Sequence, residues 1–229
     1  MQEAGKLIGE VVSMSNSSDP YPRAEANLGW TRQCLEILAL SDCRIQILTK
    51  SNLVARDDDL LAKIPCSVAL TITTDDDNLA KTLEPHAPPS AERIRVAQDL
   101  IRAGIPVSVR IDPIIPLLNT EPTSLIATLA DIGVRHITSS TYKPKPDNWC
   151  RLSEAMPKLV EKLKPLYFQQ GERVGGNTLL PKELRLRLLS KVRELALAKG
   201  LKFGVCREGL PQLNTAVCDG SWLIPPAKR

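Results

Sequence analysis

Apolar, β-branched runs alternate with stretches of helical periodicity along most of the chain. "GEVVSMS" (residues 9–15) reads as a strand. It is followed by "LGWTRQCLEILAL", where Trp30, Cys34, Leu35, Leu38 and Ala39 fall at helical spacing. "RIQILTKS" then leads into "DDDLLAKI", and "SVALTITT" into "DDDNLAKTL". Past "EPHAPPS" comes "AERIRVAQDLIRAG", with Ser90 as the expected N-cap and Gly104 as the stop. "IPVSVRID" precedes "TSLIATLADIG", and "VRHITSST" precedes "NWCRLSEAMPKLVEKLK", a helix that Pro157 should break. Beyond it "PLYFQQGERVGGNTLLP" reads as irregular. "PKELRLRLLSKVRELALAKG" reads as a long helix with Pro181 at its start, "LKFGVC" as a last short strand, and "REGLPQLNTAVCDGSWLIPP" as loop.

Strand–helix units recurring at this spacing predict βα crossovers and a parallel sheet, open or partly closed into a barrel. Five units precede the change of rhythm, which divides the chain into a barrel part at 1–150 and a C-terminal part at 151–229. A hydrophobic fraction of 43% supports a real core, and only 3% aromatics means that Leu, Ile, Val and Ala must build it. No apolar run approaches the roughly 20 residues of a membrane span, and the first residues lack the features of a signal peptide, so the expected location is the cytoplasm.

Charge is uneven. Residues 1–150 carry 15 Lys/Arg against 19 Asp/Glu, and residues 151–229 carry 15 against 7. The basic C-terminal third could face a nucleic acid, or simply be the solvated side of helices. Six cysteines without a Cys-x-x-Cys pair suit a reducing compartment, with Cys34 and Cys66 expected as small buried hydrophobes. Cys206 and Cys218 lie outside the core pattern. They could form part of a metal site, a redox pair, or two independent thiols.

The C-terminal ends of the strands carry the chemistry. They read Ser17-Ser18-Asp19, Thr49-Lys50-Ser51, Thr71-Ile72-Thr73-Thr74, Arg110-Ile111-Asp112, and Ser139-Ser140-Thr141 with Lys143 just after. Ser, Thr and Asp also cap helices, so one polar exit would carry no weight. Five of them point to a shared site, because the loops of parallel βα folds converge at that edge. Hydroxyls and Asp suit a ribose or an amine, while Lys50 and Arg110 suit a carboxylate. A strand-end Lys also serves Schiff-base aldolases, but Thr49 and Ser51 beside Lys50 supply no base. "VGGN" is too short for a phosphate loop, and two histidines exclude a three-histidine metal site.

Taken together, "SNSSDPYP", "LGWTRQCLEIL", "IQILTKSNLVARDDDLLAKI", "VALTITT", "LAKTLEPHAPPSAERI" and "AGIPVSVRIDPIIP" resemble the spore photoproduct lyase-like, or DNA-repair-photolyase-like, branch of the radical SAM enzymes. The resemblance runs from about Gly9 to Asn119. It implies a partial (β/α)6 barrel that holds S-adenosylmethionine on a 4Fe-4S cluster. By resemblance Ser18 and Thr71 reach the amino acid or ribose, with Asp19 beside them, and Lys50 reaches the carboxylate. Thr73, Glu84 and Arg110 are further candidates whose motifs also fit a structural role.

The sequence departs from the family in two places. The Cys-x3-Cys-x2-Cys loop that would hold the cluster does not occur in it, so the resemblance begins at the family's second strand. The expectation is a fragment lacking the first βα unit, or a member that builds no cluster. Where the lyases have a hydrogen-donating cysteine, this chain has Ser17, which argues against photoproduct repair. The function expected by resemblance is hydrogen abstraction by a 5′-deoxyadenosyl radical from an unknown substrate, with nucleic acid as one candidate. The alternative is a non-catalytic module, built on a degenerate barrel, that binds nucleic acid or a protein partner. The sequence leaves the oligomeric state open.

Overall fold

The computed structural model describes residues 9–14 and 18–226. Strand β1 (Val11–Met14) is followed by a short α1 (Glu25–Leu28) and α2 (Trp30–Leu38), then β2 (Arg44–Thr49). A 3-10 turn over Asn52–Asp57 runs into α3 (Asp58–Leu61) and β3 (Cys66–Thr71). Next come α4 (Asp77–Leu83), α5 (Ser90–Arg102), β4 (Val107–Ile114), α6 (Thr123–Asp131) and β5 (His136–Thr141). The chain continues through α7 (Pro146–Ala155), α8 (Pro157–Phe168), a hairpin of β6 (Glu172–Val174) and β7 (Asn177–Leu179), α9 (Lys182–Ala198) and β8 (Lys202–Val205).

Six strands form one parallel sheet in the order β1-β2-β3-β4-β5-β8, so this is an α/β fold with an open parallel sheet rather than a closed barrel. Because side chains alternate across a strand, each strand has two different faces. Ile45, Ile47, Val68, Leu70, Val107, Val109, Ile137 and Phe203 make the helix-side core with Leu35, Leu100, Leu129, Leu189 and Val192. The residues between them on the other face include Gln46, Ser67, Ser108, His136 and Thr138, all buried. Parallel strands buried on both sides are ordinarily apolar on both. Here the second face is polar.

That face is covered by the C-terminal segment. Gln46 Nε2 donates to Asp219 O at 2.5 Å, and Thr138 Oγ1 donates to Cys218 O at 2.7 Å. Two glycines permit the close approach. A Cβ on Gly204 would lie 2.6 Å from Cys218 Cα, and one on Gly220 would lie 3.0 Å from Ser108 Oγ. The same segment covers the outer edge of β8, where the Phe203 and Val205 amides donate to Thr215 Oγ1 and Asn214 Oδ1. An edge strand tied down in this way offers no free ladder to another chain.

Several expectations need correction. Ser90 does not cap α5. It occupies the first helical position after Pro89, and its buried hydroxyl has no partner among the described residues. Cys34 is exposed, because α2 turns Thr31 and Leu35 inward instead. Cys66 is buried as expected. The stretch expected to be irregular continues α8 to Phe168 and then forms the β6–β7 hairpin. Its turn is Gly175-Gly176, with φ of 54° and 74°, a conformation that glycine adopts without strain.

Candidate functional site

The loop after β1 is fixed by its own side chains. Asp19 Oδ1 accepts from the Tyr21 amide at 2.9 Å and from Thr49 Oγ1 at 2.6 Å, while Oδ2 accepts from the Lys50 amide at 2.7 Å. This carboxylate therefore ties the β1 exit to the β2 exit. Tyr21 is buried and donates to Asp57 Oδ2 at 3.1 Å; burial and the Asp57 charge push its pKa up. Arg32 and Arg56 pair with the same Asp57. Thr31 Oγ1 donates to Pro20 O, completing the anchorage of "DPYP". Ser18 is exposed at the start of this loop, and Ser17 lies outside the described residues.

From Lys50 the network continues across the sheet. Lys50 Nζ lies 2.6 Å from Glu84 Oε1, and Arg93 Nη1 lies 2.9 Å from Glu84 Oε2. The second contact is ionic rather than an aligned hydrogen bond, since Oε2 has no hydrogen-bond partner among the described residues. Burial pushes the Glu84 carboxyl up, but Lys50 and then Arg93 outweigh it and hold its pKa below the usual value. Thr73 Oγ1 bridges Glu84 Oε1 at 3.1 Å and Asp112 O at 3.2 Å. Asp112 then takes Arg110 Nη2 on Oδ2 at 2.7 Å and Ser140 Oγ on Oδ1 at 2.6 Å.

The exits of β1, β2, β3, β4 and β5 are thus joined by one chain of polar contacts. Asp19, Lys50, Thr73 and Arg110 all belong to it. Thr71 joins through its backbone oxygen, which accepts from Arg93 Nη1 at 2.7 Å. Thr141 and Lys143 turn instead to the buried Glu208, with Lys143 Nζ 2.6 Å from its Oε1. A cleft of about 660 Å³ opens beside the first two exits, lined among others by Asp19, Tyr21, Lys50, Asn52, His86 and Glu92. A second concavity of about 420 Å³, between Leu117, Leu118 and the Met156–Lys162 stretch, holds none of the strand-exit residues. The first cleft, which holds Asp19 and Lys50, is the candidate site.

Sequence reasoning missed Arg93. It reads as an ordinary basic position in a helix, yet it is fully buried. The one available signal was its place in the first turn of α5, directly after the loop that carries Glu84.

Cys206 and Cys218 approach one another on the polar face. Cys218 stacks on Gly204, two residues before Cys206. Arg110 is buried, which disfavours its charge, but Asp112 and the Cys206 sulfur outweigh this and raise its pKa. Burial and the neighbouring Cys206 raise the pKa of Cys218. Both thiols are free. No group of three or more His, Cys, Asp or Glu able to hold a metal occurs among the described residues.

No family model matches the chain. An uncharacterized protein of Mycobacterium tuberculosis is 29% identical over 169 residues, covering 69% of this chain and 50% of its own length. An uncharacterized protein of Methanocaldococcus jannaschii is 39% identical over 118 residues, covering 51% of this chain and 45% of its own. The chain thus spans about half the length of these relatives. Among solved structures, a spore photoproduct lyase mutant with bound AdoMet and dinucleoside spore photoproduct superposes with a TM-score of 0.64 at 14% identity. That match covers 89% of this chain and 62% of the lyase. Streptococcus suis SuiB bound to S-adenosylmethionine gives a TM-score of 0.56 at 14% identity, covering 86% of this chain and 39% of SuiB. The chain therefore shares its fold with the spore photoproduct lyase and SuiB structures, with an open parallel sheet. No helix of the described residues is long and apolar enough to cross a membrane.

Proposed function

We propose that this chain is the S-adenosylmethionine-binding sheet of a radical SAM-type enzyme. The observation that carries the reading is the continuous polar network from Asp19 through Lys50, Glu84, Thr73 and Asp112 to Arg110 and Ser140. Joined in this way, the exits hold Asp19 and Lys50 fixed at one cleft, with Glu84, Thr73, Asp112 and Arg110 held behind them. That arrangement suits a ligand bearing an ammonium, a carboxylate and a ribose together. The solved neighbours with bound AdoMet or S-adenosylmethionine support the same ligand.

In this reading Lys50 takes the methionine carboxylate, Asp19 the ammonium, and Ser18 and Thr71 the ribose or amino acid. S-adenosylmethionine bound there supplies a sulfonium whose C–S bond is the reactive centre, while the chain's residues orient it and limit water. The 4Fe-4S cluster of the family does not fit the described residues, because no three ligands gather there. No step is assigned to it. Nucleic acid is the partner we infer for a longer assembly. The excess of 15 basic over 7 acidic residues beyond position 150 supports it, with Lys158, Lys162, Lys182, Lys191 and Lys199 exposed.

The reading is tested by calorimetric titration of S-adenosylmethionine into the wild-type chain and Lys50→Ala. Loss of a hydrogen bond to a charged group should weaken binding by about 1.5–3 kcal/mol. Equal heats for the two proteins would refute the assignment of Lys50.

A further inference from the structure

Two cations share the single carboxylate of Glu84. Lys50 is 2.6 Å from one oxygen and Arg93 2.9 Å from the other. The two cations differ in where they sit. The Lys50 side chain is 44% exposed and reaches the cleft, whereas the Arg93 side chain is 0% exposed and does not line it. Arg93 Nε and Nη2 have no hydrogen-bond partner among the described residues. A sealed guanidinium with idle donors is costly. Thr71 O, which takes Nη1, fixes it at the end of β3. Were Arg93 absent, the Lys50–Glu84 pair would be neutral, and Lys50 would be spent on its own neighbour. With Arg93 present, the group of three keeps one net positive charge, and it is displayed at Lys50.

We infer that Arg93 is a positioning residue that neutralises Glu84, so that the Lys50 ammonium, although paired within the protein, can still grip a ligand carboxylate in the cleft. The inference rests on the S-adenosylmethionine reading for the identity of that ligand. Arg93 touches no ligand in it; it acts through Glu84. Glu84 holds the ammonium in place without cancelling it, and Thr73 fixes the carboxylate from the β3 side.

The charge balance makes a sign-specific prediction that a merely structural role does not. Relative to wild type at pH 8, Arg93→Gln should weaken S-adenosylmethionine at least about tenfold, the low end for a charge-assisted contact. Glu84→Gln should tighten binding, because both cations are then uncompensated. The double variant Arg93→Gln/Glu84→Gln returns the group to one positive charge and should bind within a few-fold of wild type. Arg93→Lys should bind more tightly than Arg93→Gln. 5′-Methylthioadenosine, which lacks the carboxylate, should respond to none of these changes. A double variant as weak as Arg93→Gln, or a Glu84→Gln that weakens binding, would overturn the inference. A ligand-free readout separates it from the ligand assignment: the Glu84 carboxyl, followed by carbon-13 NMR, should titrate below the usual range in wild type and higher in Arg93→Gln. If wild type binds no S-adenosylmethionine but this shift appears, the ligand reading fails and the role of Arg93 stands. An unmoved titration would overturn Arg93's role by itself.

Discussion

The indole N–H of Trp222 donates to His136 Nδ1 across 3.2 Å, and His136 Nε2 lies 3.2 Å from Thr138 Oγ1. The Thr138 hydroxyl donates its proton to Cys218 O, so it accepts from Nε2–H, and the ring is the neutral Nε2–H tautomer. Burial depresses the His136 pKa from 6.5 to about 4. The unfolded chain therefore binds the extra proton between these values and the folded chain does not. Stability is fully present above about pH 6.5 and is lost as pH falls towards 4. The loss amounts to about 3 kcal/mol for a shift of this size. Urea unfolding at pH 7, 6 and 5 should show the decline in wild type and a flatter profile in His136→Gln. Parallel profiles would mean that His136 is not the titrating group.

The packing of Cys218 on Gly204 predicts a second outcome. An added Cβ would meet the Cys218 backbone at 2.6 Å, which no side-chain rotation relieves. Gly204→Ala should therefore lift the C-terminal segment, costing about 1–3 kcal/mol by overpacking. Cys218 should react faster with a maleimide and Trp222 should become more quenchable, with the sheet's circular dichroism unchanged. Unaltered Cys218 reactivity would mean that the segment does not depend on this contact.

Cys206 and Cys218 approach one another with Arg110, and no third donor joins them among the described residues. A closed zinc site takes four ligands. Titration with a thiol reagent should count both as free without prior reduction, with or without a zinc chelator, and should release no zinc. Zinc release would make the pair half of a metal site completed from elsewhere. A need for prior reduction would make it a disulfide.

The strand–helix order was readable because the helix-side residues Ile45, Ile47, Val68, Val107, Val109 and Ile137 recur at period two and the helices at 3.6. So was the edge where the polar side chains gather, since Asp19, Lys50 and Thr73 follow or end strands; Arg110, expected at a strand end, lies instead in the middle of β4. The reach of the C-terminal segment was not readable. Gln46 and Asp219 are 173 positions apart, and a polar inner face looks like ordinary alternation until something is laid on it. Arg93 was invisible for a related reason: periodicity reports apolar faces, and a buried guanidinium between Thr71 and Glu84 breaks that rule. The β6–β7 hairpin was missed because three-residue strands leave too little pattern to detect.

The central claim, that the joined strand exits form the S-adenosylmethionine site, is tested most directly by hydrogen–deuterium exchange with and without that ligand. Protection should concentrate in peptides covering residues 18–23, 49–53, 71–74 and 84–92, with α9 unchanged. Protection confined to the concavity at Leu117, Leu118 and Met156, or no protection at saturating ligand, would contradict the claim.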